Sequence, residues 1–80
     1  MSPVIKRVDG FAFSFFMNEE DKPHIHVFKS GKRAKFWLNP VELVYNRGFK
    51  HSELRTIYYL VKAYEKEFEK EYNRLIRNCY

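Results

Sequence analysis

Apolar positions along the chain change their period near residue 50. Before it they alternate, and after it they recur every three or four residues. Alternation marks a strand with one buried face, and the longer period marks a helix with one buried stripe. Val4-Ile5-Lys6-Arg7-Val8 reads as a first strand, and the Asp9-Gly10 that follows is a strong hairpin signal. In Phe11-Ala12-Phe13-Ser14-Phe15 the rings alternate with small residues, which sets Phe11, Phe13 and Phe15 on one face. The polar run from Asn18 to Pro23 reads as a loop.

A second hairpin follows, and the pattern itself tests its register. With Ser30-Gly31 as a two-residue turn, Val27 faces Ala34 and Ile25 faces Phe36 on one side of the sheet. Phe28 then faces Arg33, His26 faces Lys35 and His24 faces Trp37 on the other. A slip of one residue would mix the two sets, so the pairing is well specified. Ser-Gly is a weaker turn pair than Asn-Gly, which leaves a bulged turn open. One face, with Ile25, Val27, Ala34, Phe36 and Leu38, is the predicted core. The other carries His24, His26, Phe28, Arg33, Lys35 and Trp37, and is expected to look outward.

Residues 39–49 allow two readings. Asn39, Pro40 and Glu42 fit a helix cap, a first-turn proline and a capping-box acid. Asn-Pro also makes a turn, and Val41-Leu43-Tyr45 alternates as a strand. A short fifth strand is the preferred expectation. From about Ser52, Leu54, Ile57, Val61, Tyr64, Phe68, Tyr72 and Leu75 recur at helical spacing, with no Gly or Pro after Gly48. A helix from Ser52 to Asn78 would run about 40 Å, whereas six-residue strands reach about 20 Å. Phe68, Tyr72, Leu75 and Ile76 are therefore expected to find cover by a fold-back of the chain, from a second copy, or from another protein, unless the helix crosses the sheet diagonally and frays at its end, which leaves only a short overhang. They are the predicted partner-binding residues, with a homodimer through the C-terminal helix as one form. The resulting fold class is α+β: an antiparallel sheet of four to five strands followed by one long C-terminal helix. It makes one domain over residues 1–80, sheet in 1–49 and helix in 50–80.

Composition narrows the partners. The chain has 80 residues, 19% of them aromatic, and a net charge of +5. Residues 22–50 carry seven Lys/Arg and one acid, Glu42. A local basic patch suits an anionic partner such as nucleic acid or an acidic protein, although a solvated surface gives the same count. One cysteine, Cys79, allows no internal disulfide. The most apolar stretch, Phe11 to Met17, is too short for a signal peptide or a membrane span, so a cytoplasmic protein is expected. Nothing in the sequence calls for a cofactor.

Several segments together resemble one bacterial family, domain of unknown function 4160. They are Asp9-Gly10-Phe11, Pro23-His24-Ile25-His26-Val27, Phe36-Trp37-Leu38-Asn39-Pro40-Val41-Glu42-Leu43, Asn46-Arg47-Gly48-Phe49 and Glu53-Leu54. The resemblance implies a short bacterial protein encoded beside another small domain. Such pairs are proposed to be type II toxin–antitoxin modules with this family as the toxin, and a small antitoxin-like protein is then the expected partner. The family supplies no catalytic residue to carry over. The chain departs from its pattern at Lys22, where many members have proline, at Lys50, where a serine-like cap is usual, and at Tyr72, where tryptophan is common.

Three kinds of chemistry fit the His-bearing face. Metal-independent cleavage of RNA would use His26 as base, His24 as acid near Glu19, Glu20 and Asp21, and Lys35 as the cation for the phosphorane. Lys32, Arg33, Phe28 and Trp37 would hold the nucleic acid. A metal site would need His24, His26 and Asp21, against the repulsion of Arg33 and Lys35. The third reading is structural, with the histidines as ordinary cross-strand pairs. The leading expectation is a toxin acting on RNA or translation. The alternative is a non-catalytic module that binds a small protein or nucleic acid.

Overall fold

Both predicted hairpins close through two-residue turns in which both central residues have positive φ. Asp9 and Gly10 sit at 52° and 84°, Ser30 and Gly31 at 51° and 78°. That geometry carries the twist of the flanking strands through the bend. Ser30 adopts it despite its Cβ, and Gly31 beside it lowers the cost. The computed structural model describes residues 4–15 and 22–79, with the backbone alone for 76–79.

Five strands form one antiparallel meander in the order β1 (Val4–Val8), β2 (Phe11–Ser14), β3 (His24–Lys29), β4 (Lys32–Trp37), β5 (Glu42–Arg47). The β3–β4 register is the one the hydrophobic pattern predicts, from His24 opposite Trp37 to Phe28 opposite Arg33. Residues 42–47 form the expected fifth strand. It enters through a turn with a cis Asn39-Pro40 bond. One correction concerns its faces. A bulge opposite Lys35 and Phe36 pairs Leu43 with Phe36 but Tyr45 with Lys35. The extra residue, Val44, turns Tyr45 to the face opposite Leu43.

Helices cover one face of the sheet. α1 (His51–Ala63) and α2 (Glu65–Cys79) replace the single long helix, with Tyr64 between them. Laid straight, their 13 and 15 residues plus Tyr64 would span about 43 Å, yet the molecule's longest dimension is 37 Å. The chain bends without Gly or Pro because the apolar stripe of α2 has somewhere to go. Phe13 lies 5.3 Å from Phe68 and Phe15 lies 5.5 Å from Tyr72, ring centre to ring centre. Phe11 packs on Phe49 just before α1 at 5.9 Å. The three alternating rings of β2 thus each meet an aromatic from the helical half. Burying rings of this size stabilises by about 1.5–3 kcal/mol each, enough to set the direction of α2.

That packing corrects the predicted partner surface. Phe68 and Tyr72 are buried in the domain's own core, and Leu75 packs against it. The fold-back covers Phe68 and Tyr72, so those two present no surface to a second copy, while Leu75 stays half-buried. The side chain of Ile76 lies outside the described residues.

Candidate functional site: the outer face of the sheet

Strand alternation places Arg7, Ala12, Ser14, His24, His26, Phe28, Arg33, Lys35, Trp37, Tyr45 and Arg47 on the face opposite the core residues Phe13, Val27, Ala34 and Phe36. The expected outward display of the histidines does not hold. His24 is 0% and His26 1% exposed, and Lys35 is 4% exposed. Their rings and stems are packed in. His24 meets His26 edge-on at 5.4 Å, Trp37 at 6.2 Å and Tyr72 of α2 at 5.4 Å. His24 Nδ1 donates to the Lys22 carbonyl at 2.9 Å, which fixes its proton on that nitrogen. The Tyr45 hydroxyl comes within 3.5 Å of His26 Nδ1, and His26 stacks on Phe28 with ring planes 16° apart. Trp37 holds two ammonium groups near its ring, Lys22 at 4.6 Å and Lys35 at 4.9 Å.

A general base must approach a substrate proton to within hydrogen-bond reach. Side chains closed off this completely do not offer that approach, so the catalytic assignment of His24, His26 and Lys35 loses its geometric basis. Glu19, Glu20 and Asp21, invoked for the acid and for a metal, lie outside the described residues. Among the described residues no cluster of three metal-ligating groups occurs.

The other end of the same face is open and strongly basic. A cleft of about 610 Å³ is lined by Arg7, Phe28, Lys29, Lys32, Arg33 and Arg47, with Gly10, Ala12, Ser30 and Gly31 between them and no acid. Its centre is a row running straight across all five strands. Arg7 pairs with Ala12, Ala12 with Phe28, Phe28 with Arg33, and Arg33 with Arg47. Like charges directly opposite on neighbouring strands destabilise a sheet, yet Arg33 faces Arg47 and, one step on, Lys29 faces Lys32. Lys32 discharges part of this through Glu53 of α1 at 2.9 Å, and Lys29 donates to the Asp9 carbonyl at 3.3 Å. No ion pair among the described residues involves Arg7, Arg33 or Arg47. Arg47 lies 5.6 Å over the Tyr45 ring.

Of the residues predicted to bind nucleic acid, Phe28, Lys32 and Arg33 come together in this cleft, while Trp37 sits at the closed end with His24. Sequence reasoning missed Arg7, Lys29 and Arg47. Arg7 was within reach, since the Asp9-Gly10 turn pairs it with Ala12. Arg47 was not, because the bulge in β5 sets its face.

The model of the family described as a domain of unknown function, DUF4160, matches residues 10–73. The chain belongs to this family. No curated protein and no solved structure matches it. In this DUF4160 chain the Asn46-Arg47-Gly48-Phe49 segment has a visible structural task. The Asn46 amide donates to the Phe49 carbonyl at 2.9 Å and accepts from the Phe49 N–H at 3.0 Å. Gly48 has φ 105°, and a Cβ there would lie 2.8 Å from the Lys32 stem. Phe49 is core. Arg47 is the long side chain of the segment left facing solvent, in the cleft.

Proposed function

We propose that this chain is a non-catalytic module that binds the phosphate backbone of nucleic acid, RNA above all, in the cleft between Arg7 and Arg47. The carrying observation is the cross-strand row Arg7–Ala12–Phe28–Arg33–Arg47. It keeps two guanidinium groups opposite each other at a cost to the fold, with no carboxylate in the cleft to offset them. A bound phosphate between them would remove that repulsion, and guanidinium groups suit phosphate geometry. Ala12 keeps the floor low between the arginine flanks. The toxin role that the family resemblance implies would then run through occupation of RNA or of the translation machinery rather than through cleavage.

Fluorescence anisotropy with a labelled single-stranded RNA across a salt series tests this. Affinity should fall linearly on a log–log plot, with a slope of about −0.7 for each phosphate contact. Replacing Arg7, Arg33 and Arg47 together by Gln should flatten the slope by about 2, with a melting temperature no lower than that of the wild type. Binding that survives this replacement, or RNA cleaved by the pure chain, would end the proposal.

A further inference from the structure

Among the described residues, apart from Val4, the large apolar side chains left exposed lie along β5 and the neighbouring helix. Leu43 and Val44 are 46% and 39% exposed, and Tyr58 and Tyr59 of α1 are 38% and 65% exposed. A groove of about 350 Å³ lies between strand and helix, with Phe36 and Leu54 contributing to its wall. Single exposed apolar residues are ordinary, but a contiguous set beside a sheet edge is not. β5 is the last strand of the sheet, and among the described residues its ladder runs to β4 alone. Edges are commonly guarded by Lys or Pro, yet Leu43-Val44-Tyr45 in the middle of this one carries no charge.

We propose that this groove accepts an extended, acidic segment of a partner protein, added to β5 as a sixth strand. An edge strand with a helix alongside suits strand addition. Main-chain hydrogen bonds to β5 would supply affinity, and alternate side chains of the guest would meet the groove. The guest residues turned toward α1 face Leu54 and Tyr58, so every second one should be apolar. Besides the tyrosines, the groove lining offers His51 and the cation of Arg55 and no carboxylate, which selects acidic residues at the flanks. A second copy of this chain fits less well. An antiparallel joint of two β5 strands would set Glu42 against Arg47, but it would also bring together two molecules of net charge +5 with basic helix flanks. The groove and the arginine cleft share no lining residue, and they meet at Arg47, where β5 ends.

Titration of the isotopically labelled intact chain with a synthetic octapeptide carrying valine at alternate positions, serine between them and glutamate at both ends, followed by NMR, provides the test, with a lysine-ended version as its counterpart. Amides of residues 43–46 and 54–59 should shift and saturate, at least about tenfold more tightly than with the lysine-ended version, a preference of about 1.4 kcal/mol. Leu43→Lys should abolish the shifts. If that variant fails to fold, Tyr59→Glu, at the most exposed position of the set, takes its place. Shifts confined to Arg7, Arg33 and Arg47, equal binding of the lysine peptide, or self-association that Leu43→Lys breaks would each overturn the proposal. The last would make the occupant a second copy.

Discussion

At the scale of single residues, the question is why two imidazoles sit side by side in β3. Residue type alone points to catalysis, since histidine titrates near neutral pH and suits acid–base work. Packing points elsewhere. His24 ties the start of β3 to Lys22 and meets Trp37 and Tyr72, and His26 lies between Phe28 and Tyr45. Removing either ring leaves a void in a small domain. His24→Ala is expected to cost about 2–4 kcal/mol, read as a lower midpoint in thermal or urea unfolding. An unchanged midpoint together with a lost biological effect would restore the catalytic reading. The pattern showed which residues share the histidines' face. It did not show that one end of that face is closed, because closure depends on side chains arriving from β5 and α2.

Among the elements, the start of α1 has an unusual cap. Lys50 at the N-cap position offers no side-chain acceptor, so Glu53 three residues on does the work. Its carboxylate accepts from the Lys50 N–H at 2.9 Å and from the Lys32 ammonium at 2.9 Å. Lys32 first, and the Lys50 N–H second, hold Glu53 below the usual carboxylate range. A value lowered by folding stabilises above the unfolded value, and that contribution disappears as the pH drops through the folded one. The melting-temperature gap between wild type and Glu53→Gln should therefore be full at neutral pH and close on acidification through the carboxylate range. A gap that persists unchanged in acid would remove the charge of Glu53 from the account. The same pair joins the basic hairpin of β3–β4 to the helix layer, so loosening it should also mobilise Lys32 in the cleft.

Across the whole molecule, the sheet divides its outer face in two: a closed half around the histidines and an open half around the arginine row. Stability and binding pull in opposite directions at that row. Relieving a like-charge cross-strand pair should stabilise the fold by a few tenths of a kcal/mol, up to about 1. Arg33→Gln is accordingly expected to raise the melting temperature slightly while weakening RNA binding, measured on the same preparation. A variant that loses stability along with binding would mean that Arg33 serves the fold rather than a ligand. The described residues contain no helix long and apolar enough to cross a membrane.

The sequence by itself determined the elements and the local pairing. Period-two and period-four patterns separate sheet from helix, and the two turn dipeptides set hairpin register within a few residues, where short-range sterics decide. The core face of β2, β3 and β4 follows from the same alternation. Tertiary structure decided everything that needs atoms distant in the chain to meet. The bend at Tyr64 came from Phe68 and Tyr72 seeking the rings of β2, and the bulge at Val44 chose the face of Tyr45 and Arg47. The same long-range packing buried the histidines and assembled the arginine row. Burial and charge clustering are sums over neighbours, and a linear pattern carries the neighbours of one strand or one helix but not those of the whole fold.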